Sequence, residues 1–234
     1  MTKLLHIETS TDICSIALSI NDKIVENKSV NDRNVHSEKL TIFIKEILTN
    51  ANVPFNQLDA IAVSKGPGSF TGLRIGIAVA KGICYGLDIP LISVNTLHSF
   101  YYGLKDSEKA KDNLFCSLAD ARNNEVYYSV FDNELNELIE TKVGVLESST
   151  LEKFYSKSKL IFIGNDIDKW VEIFENEKNV VFKKNIFADA KNIFPIALKK
   201  YINKTFEDLN TFEPFYLKDF KVKKSLKLKK FLNK

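Results

Sequence analysis

A hydroxyl-rich turn and a glycine-rich turn carry the residues of this sequence that could do chemistry. The first follows an apolar segment and reads Glu8-Thr9-Ser10-Thr11. Hydroxyls and backbone amides in such a turn can bind an anion, directly or through a metal ion. A plain hairpin turn explains the same composition, so both interpretations stay open. The candidate anion contacts in this turn are Glu8, Ser10 and Thr11.

The glycine-rich turn runs from Ser64 to Arg74, between a predicted strand and a predicted helix. Phosphate-binding loops occupy such places, but this segment fits neither common pattern. A Walker loop would have lysine directly after Gly72, and a dinucleotide fingerprint would have glycine in place of Thr71. The segment therefore predicts a tight turn followed by a helix that Ser69 or Thr71 caps. Backbone amides of this turn could still bind an anion, so Gly66, Gly68 and Ser69 are candidate anion contacts.

The helix predicted after this turn, from Thr71 to Leu87, carries two rows of small residues. Glycine costs a helix about 1 kcal/mol relative to alanine, so close packing against another backbone must offset that cost. The packing could lie inside the fold or in a subunit interface. The rows are Gly72, Gly76, Ala80 and Cys84, and Ala78, Gly82 and Gly86. The candidate interface residues are Gly72, Arg74, Gly76, Ala78, Ala80 and Gly82.

The remaining side chains predict neither a catalytic residue nor a metal site. No two histidines have the spacing of a metal-binding pair on a helix, and no serine, histidine and acid form a recognisable set. The cysteines are odd in number and far apart, which favours buried thiols in a reducing compartment. They are Cys14, Cys84 and Cys116.

The elements that position these turns repeat once along the chain. Residues 3–30 read as a three-stranded meander, followed by an amphipathic helix at 40–51 and then by strands and helices in alternation. Residues 114–143 read as a second meander, with a similar alternation up to about residue 202. The strand, helix, strand order implies parallel pairing. The pattern predicts an α/β duplicated actin-like (RNase H-like) fold, with two subdomains whose mixed sheets follow the order βββαβα and are flanked by helices.

Charge and composition divide the 234-residue chain into three parts. A charged stretch at residues 105–112 separates an N-terminal subdomain (1–104), with the glycine-rich loop and the candidate interface helix, from a C-terminal one (105–217). A basic tail (218–234) has eight lysines and one acid, a net +7; because the whole chain is +3, residues 1–217 carry −4. The tail reads as a solvated extension or as a contact for tRNA or a partner protein.

The sequence also predicts where the protein works. No segment after Met1 has the pattern of a signal peptide. The longest apolar-rich stretch, from Leu73 to Leu87, contains Arg74 and Lys81 and is too short to cross a bilayer. We therefore expect a cytoplasmic protein without a membrane partner.

Several strings of residues together resemble the TsaB (YeaZ-like) family of the actin and Hsp70 (ASKHA) superfamily. The longest is Gly-Pro-Gly-Ser-Phe-Thr-Gly-Leu-Arg-Ile-Gly at residues 66–76. Shorter matches lie at residues 5–11, 36–40, 80–82, 93–97 and 119–127. Pro214 and Tyr216-Leu217 are similar to the family's closing motif. The resemblance covers the whole chain and is dense through residues 3–128.

This resemblance implies a non-catalytic scaffold and activating subunit in the synthesis of N6-threonylcarbamoyladenosine (t6A) at position 37 of tRNA. It implies a heterodimer with TsaD, the related enzyme that transfers the threonylcarbamoyl group, and an ATP-dependent complex that includes the ATPase TsaE. It implies no intrinsic cofactor, although the assembled complex could bring ATP or ADP into contact with this chain. A homodimer in the absence of TsaD, and indirect tRNA contact aided by the tail, follow as further expectations.

Comparison with TsaD implies that this chain does not perform the transfer. TsaD binds a metal through two histidines, and the matching positions here are Thr96 and Phe100. Phenylalanine has no donor atom, and a single hydroxyl is a poor ligand for a transition metal. Two alternatives remain. One is a stand-alone actin-like ATPase or phosphotransferase with Glu8 and Asp120 around magnesium; the other is a peptidase, for which no nucleophile and base can be named.

Overall fold

The order of strands and helices repeats in the two halves of the chain, as the sequence pattern predicts. A computed structural model describes residues 1–32 and 35–218; of the predicted tail, Lys218 alone falls in this range. The strands are β1 (Lys3–Glu8), β2 (Ile13–Ile20), β3 (Lys23–Asn31), β4 (Ala60–Gly66), β5 (Leu91–Asn95), β6 (Leu114–Asp120), β7 (Val126–Phe131), β8 (Glu137–Gly144), β9 (Leu160–Gly164) and β10 (Val180–Lys183). The helices are α1 (His36–Asn50), α2 (Phe70–Leu87), α3 (Thr96–Tyr101), α4 (Ser148–Tyr155), α5 (Asp168–Val171) and α6 (Ala190–Ile202).

Each half builds one five-stranded mixed sheet. The first has the order β3-β2-β1-β4-β5, and the second has the order β8-β7-β6-β9-β10. In each sheet the first strand of the half pairs antiparallel with the second strand and parallel with the fourth. Since β6 takes the place that β1 has in the first sheet, the two halves share one topology.

The first core lies where α1 and α2 cover one face of the first sheet. Leu40, Phe43 and Ile44 of α1 are buried there, as their spacing of three and four residues predicts. Strand β4 is buried along its length because helices cover both of its faces. Its carboxyl end therefore leads directly from the core into the glycine-rich loop.

Two helices pack against the sheet of the other half. Helix α3 places Leu97 and Phe100 in the core of the second sheet, beside Phe115. Helix α6 places Ile193 and Ala197 against the first sheet. The strands of the two sheets thus lie on opposite sides of residues 104 and 105 along the chain, whereas α3 and α6 each cover the sheet of the other half.

Helix α3 was absent from the sequence-based prediction. It has six residues, fewer than two turns, so no apolar period can develop within it. Its start is fixed locally, because the Asn95 side chain accepts a hydrogen bond from the Leu97 amide at 2.9 Å.

Residues 205–218, which we call the C-terminal strap, run back across the first half. The Glu207 amide donates to the Leu91 carbonyl of the edge strand β5 at 2.9 Å, and the Phe215 amide donates to the Lys65 carbonyl at 2.8 Å. The strap ends on the second half, where the Lys218 ammonium donates to the Ala121 carbonyl at 2.8 Å. It therefore connects the edge of the first sheet, the glycine-rich loop and the β6–β7 turn.

Helix α2 has 18 residues and is apolar enough, by length and composition alone, to cross a membrane. The sequence predicts a start one residue later, at Thr71, and an apolar-rich part, Leu73 to Leu87, that is too short to cross a bilayer. In the fold α2 packs against β4 and α1, yet only 33% of its residues are buried. A helix of this composition with so little burial leaves an apolar face uncovered by the described chain.

Candidate functional site

The β1–β2 turn directs its acid into the protein and away from the surface. Glu8 is fully buried, and its Oε1 accepts hydrogen bonds from the Ser10 amide at 2.7 Å and from the Ser64 hydroxyl at 2.8 Å. Burial raises the pKa of the Glu8 carboxyl, against the effect of these bonds. Through these hydrogen bonds the Glu8 carboxyl group stabilises the turn in which it lies. Thr11, also expected as an anion contact, accepts from the Ile13 amide at 3.2 Å.

The equivalent β6–β7 turn of the second half holds its acid in a different way. Asp120 forms an ion pair with Lys169 at 2.5 Å near the surface, and Glu125 pairs with Lys218 at 2.5 Å. Within residues 1–32 and 35–218, no group of three or more His, Cys, Asp or Glu side chains could hold a metal ion. The two acids that the phosphotransferase alternative requires therefore have separate partners inside the described chain.

The glycine-rich loop is filled by the chain's own β1–β2 turn. A side chain at Gly68 would collide with the Ser10 carbonyl, and the Ser69 amide donates to that same oxygen at 2.6 Å. Gly66 has a positive φ of 108°, and a Cβ there would lie 3.0 Å from the Phe215 carbonyl oxygen of the strap. The anion contact expected at Gly66, Gly68 and Ser69 needs space that the Ser10 and Phe215 carbonyls occupy, and the Ser69 amide that already donates to Ser10.

Ser69 caps the helix that follows this loop. Its hydroxyl accepts a hydrogen bond from the Gly72 amide at 3.3 Å. Of the two caps that the sequence left open, Ser69 and Thr71, the structure selects Ser69. The first turn of α2 is thereby anchored beside the β1–β2 turn.

The first row of small residues on α2, which we call the inner row, packs inside the fold. A Cβ at Gly72 would collide with the Thr9 carbonyl oxygen, and one at Gly76 with the Thr9 hydroxyl. Ala80 is fully buried in the core behind them. These three residues were expected at a subunit interface; instead they let the helix approach the β1–β2 turn, so they have no surface to offer a partner.

The second row, which we call the outer row, faces away from the fold. Ala78, Gly82 and Gly86 are all exposed. No described atom lies within 4 Å of a Cβ placed at Gly82 or at Gly86. Tyr85 beside them is 84% exposed, which is unusual for a tyrosine on an apolar helix. The outer row therefore remains as the candidate interface.

Arg74 lies at the start of this exposed face and is held by the C-terminal strap. Its guanidinium lies 3.9 Å from the centre of the Phe70 ring, and its Nε donates to the Tyr216 hydroxyl at 2.9 Å. Sequence reasoning named Arg74 but missed Tyr216, which is 142 residues away along the chain. The closing motif at 214–217 was the signal, since its Tyr216 packs on Phe70 with ring centres 4.9 Å apart.

A groove of about 320 Å³ runs between α2 and the strap. It is lined by Arg74, Ile77, Ala78, Lys81, Phe212, Glu213, Pro214 and Tyr216. The strap is fixed along this groove because the Lys81 ammonium donates to the Phe212 carbonyl at 3.0 Å. The candidate site is thus a composite surface made of the outer row of α2 and the strap.

The positions expected to match the metal ligands of TsaD lie in the interior. Thr96 is fully buried and Phe100 is 2% exposed within the core of the second sheet. The nearby His98 pairs with Glu137 at 2.8 Å; burial lowers the pKa of its imidazole, and Glu137 opposes that shift. The His98–Glu137 pair connects α3 to β8, and Thr96 and Phe100 do not form a pair of metal ligands.

Comparisons with known proteins agree with this architecture. The family model described as "TsaD: tRNA N6-adenosine threonylcarbamoyltransferase" matches residues 23–225. YeaZ from Pseudomonas aeruginosa superposes with a TM-score of 0.82 at 24% identity, over 93% of this chain and 100% of that one. This likeness shows the fold, and it confirms the predicted duplicated actin-like α/β architecture.

Several relatives carry the name tRNA threonylcarbamoyladenosine biosynthesis protein TsaB, among them proteins from Haemophilus influenzae and Buchnera aphidicola. The one from Haemophilus influenzae is 37% identical over 126 residues, which are 54% of this chain and about half (52%) of that protein. The one from Buchnera aphidicola of Acyrthosiphon pisum is 31% identical over 210 residues, 86% of this chain and 90% of that protein. The chain belongs to the TsaB (YeaZ-like) family.

Proposed function

We propose that this chain is a non-catalytic subunit in the synthesis of t6A on tRNA, and that it docks TsaD through the outer row of α2. One observation carries this proposal: Gly82 and Gly86 lie in an exposed helix, and nothing in the described chain uses their lack of a side chain. The names of the TsaB relatives supply the pathway, and the match to the TsaD family model supports a related protein as the partner.

Helix propensity sets the energetic cost of the outer-row glycines. Each glycine costs an exposed helix about 1 kcal/mol relative to alanine. The inner-row glycines offset this cost by close packing on Thr9, whereas Gly82 and Gly86 of the outer row have no such contact within residues 1–32 and 35–218. A partner helix that packs on Ala78 and Gly82 at short axial distance would supply the missing packing.

The burial of two positions in the core of the second sheet supports a non-catalytic role. Both positions that match the metal ligands of TsaD are sealed in the core, and Phe100 contributes to its packing. A substrate cannot reach them without local unfolding. In this proposal the chain contributes a rigid docking surface, and TsaD performs the transfer of the threonylcarbamoyl group.

The wider complex follows the family expectation. TsaE joins as the ATPase, and ATP or ADP is held mainly by TsaE and TsaD, since the glycine-rich loop of this chain is filled by Ser10. The complex works in the cytoplasm, where tRNA is modified. The lysine-rich tail (218–234) adds charge that attracts tRNA. Without TsaD, the same outer row is the surface on which two copies of this chain would pair.

The alternative activities receive less support. A stand-alone ATPase would need Glu8 and Asp120 to face one magnesium ion, but Glu8 is buried in its turn and Asp120 is paired with Lys169. A peptidase would need an activated nucleophile. Burial raises the pKa of Cys14 to about 11 and that of Cys84 to about 12, so both thiols stay protonated at neutral pH.

Reconstitution tests the proposal. The purified full-length chain, TsaD and TsaE are combined with tRNA, ATP and a threonylcarbamoyl donor, and t6A is measured after digestion of the tRNA. We expect t6A from the full mixture and none from the mixture without TsaD. Formation of t6A by this chain without TsaD would overturn the non-catalytic assignment.

A matched pair of variants tests the docking surface in the same assay. Ala78→Leu with Gly82→Leu fills the outer row and should abolish both co-elution with TsaD and t6A formation. Ser149→Leu adds the same side chain to an exposed position of α4 in the second half, and should change neither. If the double variant co-elutes with TsaD as the wild type does, the interface lies elsewhere.

A further inference from the structure

On the composite surface, Arg74 is held in place by neighbouring side chains but has no counter-ion among the described residues. Its guanidinium stacks on Phe70 at 3.9 Å, and its Nε donates to Tyr216 at 2.9 Å. Among the described residues, no carboxylate lies within ion-pair distance of it. The side chain is exposed. One of its five N–H groups is therefore used by the fold, and the terminal ones remain for another molecule.

Such an arrangement reduces the entropy that binding has to remove. A free arginine loses up to about 2 kcal/mol of rotamer entropy when it is fixed, whereas this one is already stacked and hydrogen-bonded. The planar fork of the guanidinium matches a carboxylate through two parallel hydrogen bonds. The strap thus positions Arg74 for recognition of a planar anion.

The surroundings favour one carboxylate over a polyanion. The groove beside Arg74 contains Lys81, whose ammonium is engaged by the Phe212 carbonyl, and the acidic Glu213. Its remaining walls include the apolar Ile77 and Ala78. Residues 1–217 also carry a net charge of −4, which repels an extended phosphate backbone. A single acidic side chain on an otherwise apolar protein surface fits this groove.

We propose that Arg74, positioned by Phe70 and Tyr216, binds a carboxylate of the partner protein TsaD, so that the strap is part of the docking surface. This inference rests on the proposed function and adds the residue that makes docking specific for TsaD. A charge pair at the margin of an apolar helix contact fixes the register of the two helices. The partner helix would carry an aspartate or glutamate about one turn from the residue that packs on Ala78.

The affinity of full-length variants for TsaD tests this inference by isothermal titration calorimetry. We expect Arg74→Ala to raise the Kd about 30-fold or more, as for a charged anchor at an interface. Arg74→Lys should raise it about tenfold, because an ammonium cannot form two parallel bonds. Tyr216→Phe should raise it about threefold, because the ring remains while the hydroxyl that holds Nε is lost. Urea unfolding of each variant establishes that the fold is intact.

Two further arms control the experiment. Arg122 is an exposed arginine with a left-handed backbone (φ 62°) in the second half, and asparagine tolerates that conformation. Arg122→Asn should leave the Kd unchanged. Raising the NaCl concentration should weaken the wild type more than Arg74→Ala, because the pair that salt screens is missing from the variant.

The outcomes separate this inference from the proposed function. If Arg74→Ala binds TsaD like the wild type while Gly82→Leu does not, the carboxylate assignment is wrong and the docking surface stands. If neither variant loses affinity, both proposals fail. If Arg74→Ala abolishes binding of tRNA or inorganic phosphate to the chain and leaves TsaD affinity unchanged, Arg74 is a phosphate contact and the inference is overturned.

Discussion

The two rows of small residues on α2 look alike in the sequence and have opposite surroundings in the fold. In the inner row, Gly72 and Gly76 have no room for a Cβ because Thr9 lies against them. In the outer row, Gly82 has open space around it. The inner row is explained by packing within the chain. The outer-row glycines destabilise the helix by the same amount, but no packing within the described chain compensates for it. This difference between the rows points to packing against a second protein.

Because the two rows of α2 have different surroundings, a leucine substitution tests the interface only in the outer row. The sequence alone suggests leucine at Gly76 and Ala80 as a test of the interface, with the chain expected to stay folded. Because Gly76 packs on Thr9 and Ala80 is fully buried, that variant would disturb the core. Ala78 and Gly82 are the positions at which a leucine changes the surface and leaves the interior as it is.

The largest expected effect is the substitution of an inner-row glycine. Gly72→Ala places a Cβ against the Thr9 carbonyl, a backbone atom that cannot move without displacing the β1–β2 turn. We expect the free energy of unfolding to fall by about 3 kcal/mol, at the upper end of overpacking effects. Urea unfolding of the purified variant measures it. Unchanged stability would show that α2 does not press on the turn.

A second prediction concerns Glu8, which braces the turn on which the inner row packs. Burial raises the pKa of Glu8 above its ordinary value of 4.5, so the folded protein holds the proton more tightly than the unfolded chain. The resulting stabilisation is complete below that value and is lost as the pH rises from 4.5 through the raised pKa. Glutamine keeps an oxygen for the Ser10 and Ser64 bonds and does not titrate.

The measurement is the difference in the free energy of unfolding between the wild type and Glu8→Gln at pH 5 and at pH 8. We expect the wild type to lose stability relative to the variant over this interval. A difference that stays constant, or that grows in favour of the wild type with rising pH, would mean that Glu8 is ionised in the fold.

The smallest expected effect belongs to the outer row. Gly86→Ala adds a methyl group in open space near the end of α2. We expect the free energy of unfolding to rise by about 0.5 kcal/mol, since alanine is the better helix former and no contact is lost. Thermal unfolding measures the change, with Gly82→Ala as a second position on the same face. A loss of stability in both would place the outer row inside an intramolecular contact.

Much of the fold could be predicted from the sequence because its signals are local. The spacing of Leu40, Phe43 and Ile44 defines α1, and the repeated order of meanders and crossovers defines two sheets of one topology. A helix cap at Ser69 or Thr71 and the two small rows of α2 could also be predicted. These features depend on residues within a few positions of one another, where periodicity carries the information.

The parts that could not be predicted depend on distant contacts. Helix α2 is apolar on most of its circumference, with Ile75, Val79 and Ile83 between the rows, so its pattern does not reveal which row faces the sheet. The strap has no period at all, and Tyr216 reaches Arg74 across 142 residues. Likewise, α3 and α6 each pack against the sheet of the other half, and no local sequence signal predicts this tertiary packing.

The central claim, that the outer row is kept small for a partner, is tested most directly by Gly82→Leu. The free energy of unfolding and the Kd for TsaD are measured on the same full-length protein. We expect the stability to stay level or to rise by up to about 1 kcal/mol, and the Kd to rise about 100-fold or more, because a leucine prevents close helix packing. A variant that is equally stable and binds TsaD with the wild-type Kd would contradict the claim.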